Sequence, residues 1–312
     1  MVNRSAGKNM DIKSIKKRGI FFTTLALIMI TIVVLTYTLS TIVYTNASTQ
    51  KRISSMNSFL LTTEDDLKRQ LYVSAFRIVF ILTDYITQQG TYHSNIPAAA
   101  EEIFFNGTLY HAQQPLMIEA TFKDMQETIQ TRARSLNLNL TLVPESLSLT
   151  QSDPWNINIT LVTHLTLSDN TGLAKWDRTE TLSILVPIDD FEDPLYIVST
   201  NGAITNQIHK TPYTFVQGGS VANLLDHTLN SYYINTTSSP SFLDRLKGDL
   251  TADQYGIESL VNRNKQGIPQ YEKSVVDYIY FDSIYNPESV QVQGMPSWFR
   301  LDSNHLQVYG IP

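Results

Sequence analysis

No charged side chain occurs between Gly19 and Gln50, and the apolar core of that stretch, residues 20–44, is 25 residues long. At about 1.5 Å per residue, a helix over this core reaches roughly 37 Å, enough for a hydrocarbon slab of about 30 Å. Cleaved export signals have apolar cores of only about 7–15 residues, so length favours a permanent anchor. A small-x-small site at Thr45-Asn46-Ala47 supplies the alternative of a cleaved signal. Seven threonines lie between positions 23 and 45. A helical hydroxyl can bond the carbonyl one turn back, so they do not prevent insertion. Tyr37 and Tyr44 fall towards the outer end, where amphipathic rings favour the interface. Residues 20–44 therefore read as one transmembrane helix with the lipid bilayer as partner.

Charge orients this helix. Residues 1–19 hold six of the 23 Lys and Arg (Arg4, Lys8, Lys13, Lys16, Lys17, Arg18) and one of the 29 acids, Asp11. The remainder then carries 17 cations against 28 acids. By the positive-inside rule, 1–19 is a basic cytoplasmic segment and the body lies outside the cell membrane. An acidic body excludes nucleic acid as a partner. There is no cysteine, which removes disulfides, thiolate metal sites and cysteine nucleophiles together. With 16 Tyr and 13 Phe, the body has enough apolar mass for a packed core. Five sequons on the predicted outside, at Asn46, Asn106, Asn139, Asn158 and Asn235, are glycosylation candidates.

The periodicity of the body predicts an α+β fold. Apolar residues at Ile53, Met56, Leu60, Leu67, Leu71, Ala75, Ile78, Leu82 and Ile86 form one helical stripe over 52–88. The acids Glu64-Asp65-Asp66 mark a potential break in it. From Tyr72 to Ile86 the segment is apolar on nearly every side, which predicts partners on two faces: its own sheet or neighbouring subunits. A polar link over 88–106 leads to a second amphipathic helix over 115–135. The period then changes to two over 136–143, 146–151, 155–167 and 178–188, with a turn at 168–172, as in an antiparallel meander. From 195 onward the signal is mixed. Segments 220–233 and 241–248 read as helices; 194–200, 274–282 and 299–311 read as strands. The expected organisation is a transmembrane helix continuing into long amphipathic helices packed on an antiparallel β-meander (50–190), followed by a mixed α/β C-terminal domain (195–312).

Lys16-Lys17-Arg18-Gly19 followed by Ile20-Phe21-Phe22 resembles the class III signal of type IV pilin-like proteins, especially archaeal ones. The resemblance covers about thirty residues. It implies cleavage between Gly19 and Ile20, and self-assembly or packing with other pilin-like subunits through residues 20–88. Thr24 stands where bacterial members usually have glutamate. The segments FEDPLY (191–196) and GIESLV (256–261) also resemble archaeal membrane-anchored proteins, which brings no activity with it.

The sharpest cluster of chemistry-bearing residues is Asp189, Asp190, Glu192 and Asp193, between two prolines. Such carboxylates are candidate calcium ligands, although EF-hand spacing is absent; the alternative is a solvated acidic linker. Asp226-His227 with Ser220 or Ser231 has the residue types of a triad, but no GxSxG elbow exists. Val216 to Ser220 holds two glycines without the ending of a phosphate loop. No catalytic or cofactor-binding residue is assigned, and the chain is read as a non-enzyme. The expected function is a single-pass anchored surface protein acting as a structural or minor pilin-like subunit or assembly component. An anchored binding or envelope-scaffold module is the alternative, and an anchored hydrolase using residues 189–193 a more distant one.

Overall fold

The computed structural model describes residues 12–215 and 219–311, the side chains of 12–20 and 41–48 excepted. Residues 1–11 of the basic segment lie outside the described residues. The chain is mixed α+β and divides into two compact units, Met1–Leu60 and Leu61–Pro312. Helix α1 (Ile12–Gln89) is unbroken over 78 residues.

In the smaller unit, Phe21–Ser40 has a mean hydropathy of 2.2 and no buried side chain. It is the one helical segment, among the described residues, long and apolar enough to cross a bilayer. Four of its hydroxyls, those of Thr31, Thr36, Thr38 and Ser40, are satisfied within the helix. Thr31 Oγ1 donates to the Leu27 carbonyl at 2.7 Å, and Thr38 Oγ1 and Ser40 Oγ donate to Leu35 and Tyr37 at 2.9 Å. An apolar solvent therefore meets no free hydroxyl proton at these positions.

In the larger unit, α1 buries the expected stripe at Leu67, Leu71, Ala75, Ile78, Leu82 and Ile86. The potential break at 64–66 does not occur. Glu64 pairs with Lys68 at 3.1 Å and Arg178 at 3.5 Å, while Asp66 pairs with Arg69 at 3.0 Å and with Arg132. These acids are held by partners along and across α1 rather than marking a helix start.

The link over 88–106 contains a helix of its own, α2 (Ile96–Asn106), capped by Asn95 and ended by Gly107 at φ 68°. A hairpin of β1 (Thr108–Leu109) and β2 (Ala112–Gln113) follows. Residues 115–117 form a 3₁₀ turn, so α3 starts later than the periodicity suggests, at Phe122, and runs to Ser135. A capping box between Thr121 and Asp124 sets that start.

The meander comprises β3 (Leu138–Asp153), β4 (Asn156–Asp169) and β5 (Lys175–Pro187), antiparallel with β4 central. Segments 136–143 and 146–151 are one strand, because Pro144 is accommodated by a register shift between Pro144 and Ser146 rather than ending β3. In β4 burial alternates strictly, with Ile157, Ile159, Leu161, Leu165 and Leu167 on the covered face. Gln126 Nε2 of α3 donates to the Leu142 carbonyl of β3 at 2.9 Å.

Beyond the sheet, three segments read as strands prove partly or wholly helical. Residues 194–199 form α4 (Pro194–Ser199), because Asp193 caps it through the Leu195 amide at 2.9 Å and Pro194 suits the first turn. The helices α5 (Val221–Asn230) and α6 (Phe242–Lys247) lie where the sequence places them, α6 capped by Ser241 and ended by Gly248. Strands β6 (Tyr233–Asn235) and β7 (Ile257–Ser259) pair with each other. Within 274–282, Asp277–Phe281 is a short helix, α7. Every residue from Lys273 to Tyr280 is buried, so no periodicity distinguishes helix from strand there. Finally, β8 (Ser289–Gln291) pairs with β9 (Arg300–Asp302), and the chain turns into α8 (Ser303–Val308) with Asp302 as cap.

Gly256 leads into β7 with no room for a side chain. A Cβ there would lie 2.0 Å from the Ser239 carbonyl oxygen and 2.6 Å from that of Thr236. Gly256→Ala is expected to cost about 1–3 kcal/mol by displacing backbone, measurable as a lowered urea midpoint with unchanged slope.

Candidate functional site

Two features of the larger unit carry chemistry beyond packing. The first is the outer side of α1. Tyr72, Val73, Phe76 and Phe80 fall at helical spacings opposite the buried stripe and remain 41% to 46% exposed. A helix at the surface of a soluble domain normally presents polar residues there. Arg77, on the flank of this face, donates to the carbonyls of Leu116 (2.7 Å) and Ile118 (3.2 Å). Both of those side chains are exposed and extend the apolar surface.

Along the other flank runs a groove of about 380 Å³ between α1 and loop 189–192. Phe76, Phe80 and Asp84 line it from α1, and Asp189, Asp190, Phe191 and Glu192 from the loop. Backbone pairing fixes the loop. The Asp190 amide donates to the Ile208 carbonyl at 3.0 Å, the Ile208 amide to Phe191 at 2.9 Å, and the Asp193 amide to Asn206 at 2.8 Å. The Phe191 ring lies 5.3 Å from that of Phe76, tilted by 46°.

The four carboxylates read together from the sequence are placed apart. Asp189 and Asp190 are exposed, and their oxygens and His209 Nδ1 lie within 4.8 Å of one another. His209 is 3.3 Å from Asp190 and 3.7 Å from Asp189. Glu192 is half-buried, and burial pushes its carboxyl up, against hydrogen bonds from Thr205 and Gln207. Asp193 is turned wholly inward. A calcium ion at 189–193 would thus lack one of its four candidate ligands, whereas two carboxylates and an imidazole suit a metal that accepts nitrogen.

Asp193 belongs to the second feature, a buried ionic network that had no sequence signal. Arg245, on α6, donates to Asp193 at 2.6 Å, to both oxygens of Asp277 at 3.0 and 3.2 Å, and to the Ile257 carbonyl. All three side chains are fully buried. Tyr233 donates to Asp193 at 2.8 Å, and the Ser259 amide and hydroxyl donate to Asp277 at 2.9 and 2.8 Å. Burial, with the neighbouring Asp277 charge, pushes Asp193 up even against Arg245. One residue along the chain from Ile257, at Glu258, a second group forms around His305, whose Nδ1 lies 2.7 Å from Asp302 and whose Nε2 lies 3.1 Å from Glu258. Burial opposes the imidazolium, but these two carboxylates raise His305 to about 10. Burial also raises Glu258, while Asp302 is lowered because its bonds to His305 overcome burial. Three successive residues of β7 join the groups: the Ile257 carbonyl, the Glu258 carboxylate and the Ser259 donors.

The triad types do not assemble. Burial lowers His227 to about 3, and its Nδ1 contacts the Thr211 hydroxyl at 3.1 Å. Asp226 accepts from Tyr213 and Asn230, Ser220 caps α5, and the Ser231 hydroxyl accepts from Lys265 at 3.0 Å. Of the sequon residues, Asn106, Asn139 and Asn235 are exposed. Asn158 is half-buried in β4 and accepts from Ser183 at 2.6 Å. The side chains of Ile20 and Asn46, and the exposure of Gly19, lie outside what the structure describes. Comparison with protein families, curated proteins and solved structures finds no match to this chain.

Proposed function

We propose that this chain is a single-pass membrane protein, its basic N-terminus cytoplasmic and its larger unit outside, that associates side by side through α1 as a pilin-like structural or minor subunit. The observation that carries this reading is the apolar outer face of Tyr72, Val73, Phe76 and Phe80. The smaller unit supplies the apolar segment Phe21–Ser40. A contiguous apolar surface of this kind on a folded unit is characteristic of an interaction site. The cut after Gly19 would be the processing step that releases the helix for assembly. Exposed Asn106, Asn139 and Asn235 are its glycan acceptors. The role is non-catalytic: His227, His305, Asp193, Glu258 and Asp302 are engaged in internal pairs or buried away from solvent.

Two measurements test it. Mass spectrometry of the native protein is expected to find Ile20 at the mature N-terminus. Sedimentation of the full chain in mild detergent is expected to show oligomers that Phe76→Ser with Phe80→Ser converts to monomers. An intact 1–19 segment on a monomeric native protein would sink the assembly reading. The groove beside loop 189–192 favours a second reading, an anchored module that binds a ligand outside the cell.

A further inference from the structure

We propose that the groove between α1 and loop 189–192 binds a small organic cation, an ammonium group carried on an apolar body about the size of one aromatic ring. This rests on the binding-module reading and names its ligand class.

The walls select the body. Phe76, Phe80 and Phe191 form an aromatic floor, and ring faces attract a cation as well as burying hydrocarbon. The volume of about 380 Å³ lies at the small end of sites for discrete ligands, about 300–1,000 Å³. That size suits a compact molecule better than an extended chain.

The rim selects the charge. Asp84 stands on the α1 side, and Asp189, Asp190 and Glu192 on the loop side, with no Lys or Arg among the lining residues. The imidazole of His209 is the nearby group able to offset them, and it leans on Asp189 and Asp190. An anionic ligand would meet four carboxylates, and a bare metal ion would leave three phenyl rings unused. A cation with an apolar body satisfies both parts of the site. Burial already pushes Glu192 towards its neutral form, and an ammonium beside it would relieve that. Because the loop is pinned to 206–208 through its backbone, little ordering remains to oppose binding.

The test uses three probes of matched shape: phenethylamine, phenethyl alcohol and phenylacetate. Each is titrated by saturation-transfer NMR against the full chain in neutral-lipid nanodiscs, with empty nanodiscs as the blank. Phenethylamine is expected to bind best, phenethyl alcohol more weakly and phenylacetate not at all. Asp84→Asn with Asp190→Asn keeps the shapes, and Asn suits the left-handed backbone of position 190 (φ 68°). This variant should weaken the amine about tenfold and leave the alcohol unchanged, with its thermal unfolding matching wild type. Raising the salt concentration should weaken the amine alone. If the alcohol or carboxylate binds as tightly as the amine, or if the variant keeps full amine affinity, the cation assignment fails while the module reading stands. If none of the probes exceeds the blank, both fail. Phe80→Ser should abolish binding of amine and alcohol alike; binding that survives it lies elsewhere and overturns the site.

Discussion

Replacing Arg245 with methionine is expected to remove about 3–5 kcal/mol from the stability of the larger unit, the largest single-residue effect anticipated in this protein. Methionine keeps most of the side-chain volume but removes the cation that bridges Asp193 and Asp277, both fully buried. The four polar contacts of the guanidinium end at Asp193, Asp277 and Ile257, so the change also strands a backbone carbonyl at the start of β7. Two carboxylates left facing each other without solvent must take up a proton or separate. Adding Asp193→Asn and Asp277→Asn to the methionine variant should recover much of the loss, since the penalty lies in uncompensated charge more than in the absence of the pair. Urea unfolding of the full chain in detergent, followed by near-ultraviolet circular dichroism, measures both variants. A loss below about 1 kcal/mol, the range of surface ion pairs, would show that Arg245 is solvated rather than buried.

The second large effect is a dependence on alkaline pH. His305 is raised from its ordinary 6.5 to about 10 by Asp302 and Glu258, against the opposing influence of burial. The folded state therefore binds a proton that the unfolded chain releases near 6.5. This stabilisation is fully present below pH 6.5 and is lost as pH rises through about 10. Between those limits stability should fall by up to about 1.4 kcal/mol per pH unit. Asp302, lowered from 3.8, has the opposite sign: its contribution is present above pH 3.8 and lost as the medium is acidified further. Tyr278 and Ser274 complete the shell, the first 3.5 Å from His305 Nε2 and the second bonded to Asp302 at 2.8 Å. His305→Gln should flatten the alkaline slope while lowering stability at neutral pH. A wild-type slope that is already flat between pH 7 and 10 would place a neutral imidazole at this position.

Much of this architecture can be read in the sequence where one face of an element is wet and the other dry. The alternation in β4 and the stripe along α1 are of this kind, because burial imprints a period on residue type. Where an element is buried all round, the imprint vanishes. Ser274 to Tyr280 is as consistent with a strand as with the extended stretch and short helix it forms. Asp193 illustrates a different loss. It reads as one of four acids in a linker, yet it caps α4 and pairs with Arg245, so its meaning depends on a residue 52 positions away. Arg245 in turn looks like a solvent-facing cation of a short helix, and nothing local marks it as buried. The groove was half legible: the acids of 189–192 were evident, but their meeting with Phe76 and Phe80 required the fold.

The sheet also limits how copies of this chain can join. Its two free margins are β3 and β5, and a bare margin invites another strand to add itself. On β3, Pro144 supplies no amide donor and the register slips beside it, so a continuous ladder cannot be extended past that point. On β5, Lys175, Asp177, Arg178 and Glu180 follow one another within six positions, and an incoming strand would have to displace their solvent and ion pairs. Both sides of the sheet are thus closed to strand-by-strand growth. Ordered contacts between copies are left to surfaces whose backbone is already satisfied, which keeps such contacts reversible and sets them apart from the self-templating growth of fibrils.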